Sequence, residues 1–339
     1  MLDGFAKLDV RTSETTIHLA IGGSGPPLLL LHGYPQTHVI WHRVAPELAK
    51  DFTVVCTDLR GYGDSGKPAS DDTHAAYSKR TMARDQAEVM MQLGFDRYGV
   101  AGHDRGGRVA HRLALDYPEN VTRLAVLDIA PTLTMYRKTA EEFARAYYHW
   151  FFLIQPAPLP ERLISYDPEF YLRKKLGSGS AGMSPFAPEA LAEYLRCFHN
   201  PETVAASCED YRASASIDLQ HDEADITRKV ECPLLALWGN SGAVARCFDV
   251  LAEWRARAAD VRGGALPGGH YLAEELPELV TAELHDFFSG RRSVIFDRFK
   301  HRLAQQSLNS AHTHNSQSSR GNQGLRSEGA PMRTAGGHD

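Results

Sequence analysis

Residues 99–108 read GVAGHDRGGR. An apolar run ends at His103, and Gly102, Gly106 and Gly107 bracket Asp104 and Arg105. The spacing Gly102-x-Asp104-x-Gly106 is that of a sharp strand-to-helix turn, where small residues let two backbones pass closely and the apex side chain projects from a strand end. That apex usually carries a serine. Here it is a carboxylate, with Arg105 and Arg108 on the first turn of the helix that follows. A carboxylate beside a helix N-terminus is favoured by the helix dipole, stays ionised and can attack an electrophilic carbon. Capping the helix is the simpler role open to it. Two cations on the same turn oppose the dipole, so they need a reason of their own.

Outward from this turn, short apolar runs alternate with helical patterns. PPLLLLHG (26–33), FTVVCTDLRG (52–61), YGVAGH (98–103), LAVLDIAP (124–131) and PLLALWGN (233–240) read as buried strands ending in polar or glycine-bearing turns. Such runs suit a mostly parallel sheet covered by helices on both faces, and 80–93 and 106–117 supply two of the helices. The expected class is α/β, with ligands at the carboxyl ends of the strands. Aromatics, prolines and helical segments replace strands after Pro131, as in AYYHWFFLIQPAPLP (146–160). This predicts a core over 1–133 and 223–292 and an inserted helical cap over 134–222.

From residue 291 to the end, eight Lys/Arg stand against three Asp/Glu. The stretch 293–339 reads as a basic, disordered tail, and its His312 and His314 as solvated rather than metal-binding. The whole chain of 339 residues, 43% hydrophobic and 23% charged, carries a formal charge of −5, which gives no reason to expect a nucleic-acid partner. Five scattered cysteines without a C-x-x-C pair suit a reducing cytoplasm. The N-terminus has no apolar signal-peptide region, and the longest aliphatic run, Leu28 to Leu31, is too short to span a bilayer. The expectation is a soluble cytoplasmic protein without a membrane partner.

Further motifs gather at the strand ends. LLLLHGYPQ (28–36) offers the backbone N–H of Tyr34 as half of an oxyanion hole, with the N–H of Arg105 as the other half. DLRGYGDSGKP (58–68) is a glycine-rich loop after another strand. LPGGHYL (266–272) places His270 on a late loop, where a catalytic base of this architecture sits. The base needs an acid to orient it. The turn after LLALWGN carries none, whereas LAVLDIAP ends in Asp128, which is assigned as the acid; Asp249, inside an expected helix over 245–257, is the weaker candidate.

With these pieces assembled, the chain resembles the α/β-hydrolase superfamily, and within it the fluoroacetate (haloacetate) dehalogenases. The resemblance runs from about residue 20 to 290 and rests on HGYPQT, GHDRGGR, AVLDIAPT, YHWFFLIQPAPLPE, EDYRA and LPGGH. It implies that Asp104 is the nucleophile, Asp128 its acid partner and His270 the base. It further implies that Arg105 and Arg108 bind the substrate carboxylate, that His149, Trp150 and Tyr211 bind the halide, and that the protein is a homodimer. Some members carry a tryptophan near the segment that here reads LGSGSAGM (176–183). Small residues there imply a wider pocket and a shift toward bulkier haloacids.

The residues agree with that chemistry. Two forked guanidiniums spaced i, i+3 beside one carboxylate make an anion clamp for a small acid with a leaving group on its α-carbon, although Asp104 could itself be their counter-ion. The reading is hydrolysis of a haloacid by water, with no cofactor and no metal. An epoxide hydrolase would use the same Asp–His–Asp set with cap tyrosines, Tyr211 with Tyr147 or Tyr148, but has no use for the clamp. A non-catalytic binding protein on the same fold would not require nucleophile, acid and base together.

Overall fold

The computed structural model describes residues 1–179 and 181–291. The expectations for the 293–339 tail and its histidines lie outside the described residues, as does Ser180 in the small-residue stretch. Strands β1 (Ala6–Arg11), β2 (Thr16–Gly23), β3 (Pro27–Leu31), β4 (Thr53–Thr57), β5 (Tyr98–His103), β6 (Val121–Leu127), β7 (Leu234–Gly239) and β8 (Val261–Leu266) form a sheet in the order β1-β2-β4-β3-β5-β6-β7-β8. β2 runs antiparallel to β1 and β4, and all other neighbours are parallel.

The five expected strands are central, and their apolar runs explain why. Leu28 to Leu31 in β3 and Val100 and Ala101 in β5 have no exposed surface, which requires cover on both faces. The helix Lys79–Gln92 supplies Met82, Val89 and Met90 to that cover, and the helix Arg105–Asp116 supplies Val109, Ala110 and Leu113. Three strands were not expected. β1 is largely exposed and β2 only half buried, so neither shows an apolar run. β8 reads VRGGAL, where adjacent glycines hide the strand pattern. The expected helix over 245–257 divides into Ala243–Cys247 and Val250–Arg255, and Asp249 caps the second by accepting from the Ala252 N–H at 3.1 Å.

Between β6 and β7 the chain is helical, from Thr132–Arg137 to Ile217–Ala224. These helices carry Trp150, Tyr194 and Tyr211 into the same apolar cluster as Leu29, Leu31 and Val100 of the sheet. All five cysteines are free thiols, and no helix among the described residues is long and apolar enough to cross a membrane.

The packing of the helix Arg105–Asp116 against β5 leaves no room at Gly102. A Cβ there would lie 2.3 Å from the Gly106 carbonyl oxygen and 2.5 Å from the Gly107 nitrogen, both backbone atoms. Gly102→Ala is expected to destabilise the protein by roughly 3 kcal/mol, read as a lower urea midpoint at unchanged m-value.

Candidate active site

Asp104 follows the last residue of β5 and precedes the first residue of its helix, with φ 46° and ψ −112°. This left-handed, strained backbone lifts the carboxylate out of the sheet. Gly33, in the loop after β3, lies against it so closely that a Cβ would sit 2.6 Å from the Asp104 Cβ. That approach brings the Tyr34 N–H to Asp104 Oδ2 at 3.0 Å. Burial by itself would raise the Asp104 carboxyl, but His270, Arg108 and Arg105 outweigh it and hold it near 2. The carboxylate is therefore ionised across the neutral range.

His270 lies on the loop after β8, and its Nδ1 is 2.6 Å from Asp128 Oδ2. Asp128 follows β6, is fully buried, and accepts the Gly239 N–H on Oδ1 at 3.0 Å. Asp249 spends its carboxylate on a helix cap and has no bond to His270. His103 braces His270, its Nε2 2.8 Å from the His270 carbonyl and the two rings 4.7 Å apart. Burial, with the His270 charge, pushes the His103 imidazole down to about 3, so it stays neutral.

Neither arginine hydrogen-bonds Asp104, although Asp104 is the main negative charge acting on Arg108. Arg105 gives Nε and Nη2 to the Asp210 carboxylate at 2.8 and 2.7 Å, and Nη2 also reaches the Asp210 carbonyl and Ser214 Oγ. Its Nη1 is buried without a partner, and the guanidinium lies 4.2 Å from the Tyr211 ring centroid. Arg108 gives Nη1 to the Ala130 carbonyl and Thr132 Oγ1 and Nη2 to Met135 Sδ; its Nε is buried and unpartnered, with the Trp150 ring 4.7 Å away. The two cations are thus fixed in place, each keeping one free donor group.

The structure brings His149, Trp150 and Tyr211 together beside Tyr34. The Tyr34 and His149 rings stack at 6.2 Å, Tyr211 meets the edge of both at 5.2 and 5.8 Å, and Trp150 lies 6.3 Å from Tyr211. The Trp150 indole N–H and the Tyr211 hydroxyl are buried without partners. Burial, reinforced by Lys175, keeps His149 well below the usual histidine range, so its imidazole is neutral and carries one N–H.

Sequence reasoning missed the groups that hold these side chains. Asp210 lies inside the quoted EDYRA, directly before Tyr211, but nothing in its spacing announces Arg105 as its partner. Lys79 and Tyr62 share Asp210 with Arg105, and the Tyr62 hydroxyl donates to Oδ2 at 2.6 Å. Among the described residues one trio, His18, His38 and Asp58, could hold a metal ion. Its members face one another directly, His38 Nδ1 being 2.8 Å from Asp58, and none of them contacts Asp104.

The loop carrying His270 leads into the helix Leu272–Glu275, where Glu274 is buried. Glu274 Oε1 accepts from the Tyr194 hydroxyl at 2.5 Å and from Gln36 Nε2 at 3.3 Å. It thereby joins the helical insertion to the loop that carries Tyr34. Burial pushes its carboxyl up to about 7.

An ionised aspartate on a strained turn, an oriented imidazole and a backbone donor at that aspartate define a hydrolase of the nucleophile-elbow class. The chain matches the α/β-hydrolase fold family over residues 26–277 and belongs to it. It is 47% identical over 296 residues to a fluoroacetate dehalogenase of Burkholderia sp, covering 87% of this chain and 97% of that one. It is also 38% identical over 283 residues to a soluble epoxide hydrolase of Corynebacterium sp., covering 81% and 94%. A solved structure from Nostoc sp PCC 7120, described as an α/β hydrolase, superposes with a TM-score of 0.84 at 59% identity, covering 85% of this chain and 99% of that one. The resemblance first seen in the motifs is therefore carried by most of the chain.

Two outcomes follow from this geometry. Asp210→Asn removes the counter-charge of Arg105 and Lys79 in a dry environment and should cost about 3–5 kcal/mol in chemical denaturation. Glu274 binds its proton more tightly folded than unfolded. Its contribution to stability is full below its unfolded value of 4.5 and is lost as pH rises through about 7, a loss of roughly 3 kcal/mol at most. Glu274→Gln should flatten the fall in melting temperature between pH 5 and 8.

Proposed function

We propose that the protein hydrolyses the carbon–halogen bond of small 2-haloacids, fluoroacetate and its chloro and bromo analogues among them. The observation that carries this reading is the set of buried donors without partners around one ionised nucleophile: Arg105 Nη1, Arg108 Nε, Trp150 Nε1 and the Tyr211 hydroxyl. A buried donor left unpaired costs about 1–3 kcal/mol, and a ligand bearing a carboxylate and a halogen would satisfy all four. Similarity to the Burkholderia fluoroacetate dehalogenase supports the same conclusion.

In the proposed reaction the carboxylate of the substrate lies on Arg105 and Arg108, which offset its repulsion from Asp104. Asp104 Oδ2 already accepts the Tyr34 N–H, so Oδ1, which has no donor among the described residues, attacks the α-carbon opposite the halogen. The new C–O bond forms as the C–X bond breaks, and X⁻ leaves with the bonding pair. His149, Trp150 and Tyr211 donate to the halide as its charge grows, where donors count most. The helices between β6 and β7 act as the cap that brings these three residues over the nucleophile.

The ester that results has Oδ2 as its carbonyl oxygen, already beside Tyr34, and the N–H of Arg105 is the second oxyanion donor. His270, oriented by Asp128, takes a proton from water as the water attacks the ester carbonyl. The tetrahedral intermediate collapses, His270 returns the proton to the departing alkoxide oxygen, and the 2-hydroxy acid leaves. Asp104 keeps one oxygen from water. One halide and one proton are released per water consumed.

Epoxide opening is the second reading, favoured by the Corynebacterium relative and by the free Tyr211 hydroxyl. The test is halide release from fluoroacetate, chloroacetate and 2-chloropropionate, with an epoxide in parallel. Release from the acids, abolished in Asp104→Asn, is expected. His270→Asn should give a burst of about one halide per site and a protein mass raised by the trapped ester. In wild type, a single turnover in ¹⁸O-water should label Asp104. Turnover of the epoxide alone would replace the haloacid reading.

A further inference from the structure

Seven cationic side chains of the described chain are buried: Arg60, Lys79, Arg105, Arg108, Arg112, Lys175 and Arg212. Five of them touch a carboxylate: Arg60 on Asp85, Lys79 and Arg105 on Asp210, Arg112 on Asp225 and Arg212 on Glu209. Arg108 and Lys175 do not. Arg108 belongs to the proposed substrate clamp. Lys175, at the end of the helix Pro168–Leu176, belongs to nothing described so far.

The Lys175 side chain is only 7% exposed. Among the described residues its Nζ has no hydrogen bond and no ion pair; the Tyr271 ring, 5.9 Å away, is the one group recorded against it. It lines a cavity of about 420 Å³ together with His149, His270, Tyr147 and Tyr271. Among the described residues no carboxylate side chain lines that cavity. Arg145 and Arg246 complete its basic wall, and their partners Glu141 and Glu142 stand outside the lining. A largely buried ammonium without a counter-ion is costly to hold, and the anions that act on it among the described residues, Asp104 and Asp128, do so at a distance.

We propose that Lys175 forms an outer anion subsite, distinct from the Arg105/Arg108 clamp, which receives a small monocarboxylate in the cavity beside His270 before it reaches the nucleophile. The identity of the anion as a 2-haloacid rests on the function proposed above; its negative charge does not. An ammonium on a flexible stem suits this role, because it holds an anion without fixing its orientation and can hand it inward to the guanidinium pair.

Burial, against the fields of Asp104 and Asp128, brings the Lys175 ammonium down to about 8. The other titratable groups facing the cavity are Tyr147, Tyr148 and His149 from the helical insertion, His270 and Tyr271 from the loop after β8, and Arg145 and Arg246 at its wall. Tyr147 and Tyr271 are held well above the usual tyrosine range by burial, and His149 well below the histidine range. None of those three titrates near pH 8. The Lys175 charge is therefore lost as pH rises through about 8, while Arg145 and Arg246 at the wall and the substrate carboxylate stay ionised.

The test compares wild type, Lys175→Met and Lys175→Arg in two measurements. In the first, acetate binding is followed by tryptophan fluorescence, which needs no turnover. Lys175→Met should weaken acetate about tenfold, the loss of one charge-assisted contact, and remove the weakening seen in wild type between pH 7 and 9. Lys175→Arg should bind acetate within about threefold of wild type at both pH values. In the second, chloroacetate turnover in Lys175→Met should show KM raised by a similar factor with kcat nearly kept. The melting temperature of Lys175→Met should rise, since a buried unpaired charge is gone; a merely structural lysine would lower it. Unchanged acetate affinity in a folded Lys175→Met overturns the subsite. Absence of chloroacetate turnover in wild type overturns the haloacid reading and leaves the acetate result to decide the subsite alone.

Discussion

Arg105 and Asp210 stand 105 residues apart in the sequence, neither with measurable exposure, and meet through Nε and Nη2 contacts of 2.8 and 2.7 Å. One belongs to the first turn after the candidate nucleophile and the other to the insertion helix Pro201–Ser214. Each ion alone in that environment would cost several kcal/mol, so the two elements cannot separate cheaply. Tyr211, next to Asp210, is thereby held over the Arg105 guanidinium. Lys79 and Tyr62 add contacts from the core to the same carboxylate. The position of the aromatic cluster over Asp104 follows from this junction.

The same junction decides how a carboxylate nucleophile can coexist with an anionic ligand. Two unit charges 4 Å apart repel by about 4 kcal/mol at the effective dielectric of a protein surface. Asp210 takes most of the hydrogen-bonding capacity of Arg105 without neutralising the region, because Lys79 shares it. Arg108 keeps its charge by leaning on carbonyl, hydroxyl and sulfur acceptors rather than a carboxylate. His149 stays neutral among them. Charge is concentrated where a carboxylate would sit, and neutral donors occupy the side where a leaving group would depart.

What could be read in the sequence were features that follow local rules. The five central strands are apolar runs, the turn at Asp104 is a spacing of glycines, and Asp128 was reached because the strand before it ends in an acid. The β1–β2 hairpin and β8 escaped because an exposed edge and a glycine pair carry no such rule. Asp249 looked internal to one helix only because the break at Phe248 has no proline or glycine to mark it. The partners of the site were harder still. Nothing local couples Asp210 to Arg105, or leaves Lys175 without a partner; both are properties of how distant elements pack. Motifs named the reacting groups, and tertiary structure supplied the electrostatics around them.

The placement of the acid on β6 has a consequence for the other side of the site. Many hydrolases of this fold carry that carboxylate after the strand equivalent to β7. Here Gly239, the last residue of β7, gives its backbone N–H to Asp128, and Gly242 and Ala243 in the turn that follows wall the cavity. An added Cβ at Gly242 would lie 3.2 Å from the Gly239 carbonyl oxygen and 3.4 Å from Asp128 Oδ1, so a larger side chain there would press on the carboxylate that pairs with His270. The wall of the cavity and the carboxylate that orients His270 thus meet at Gly242, and neither can be reshaped there without the other.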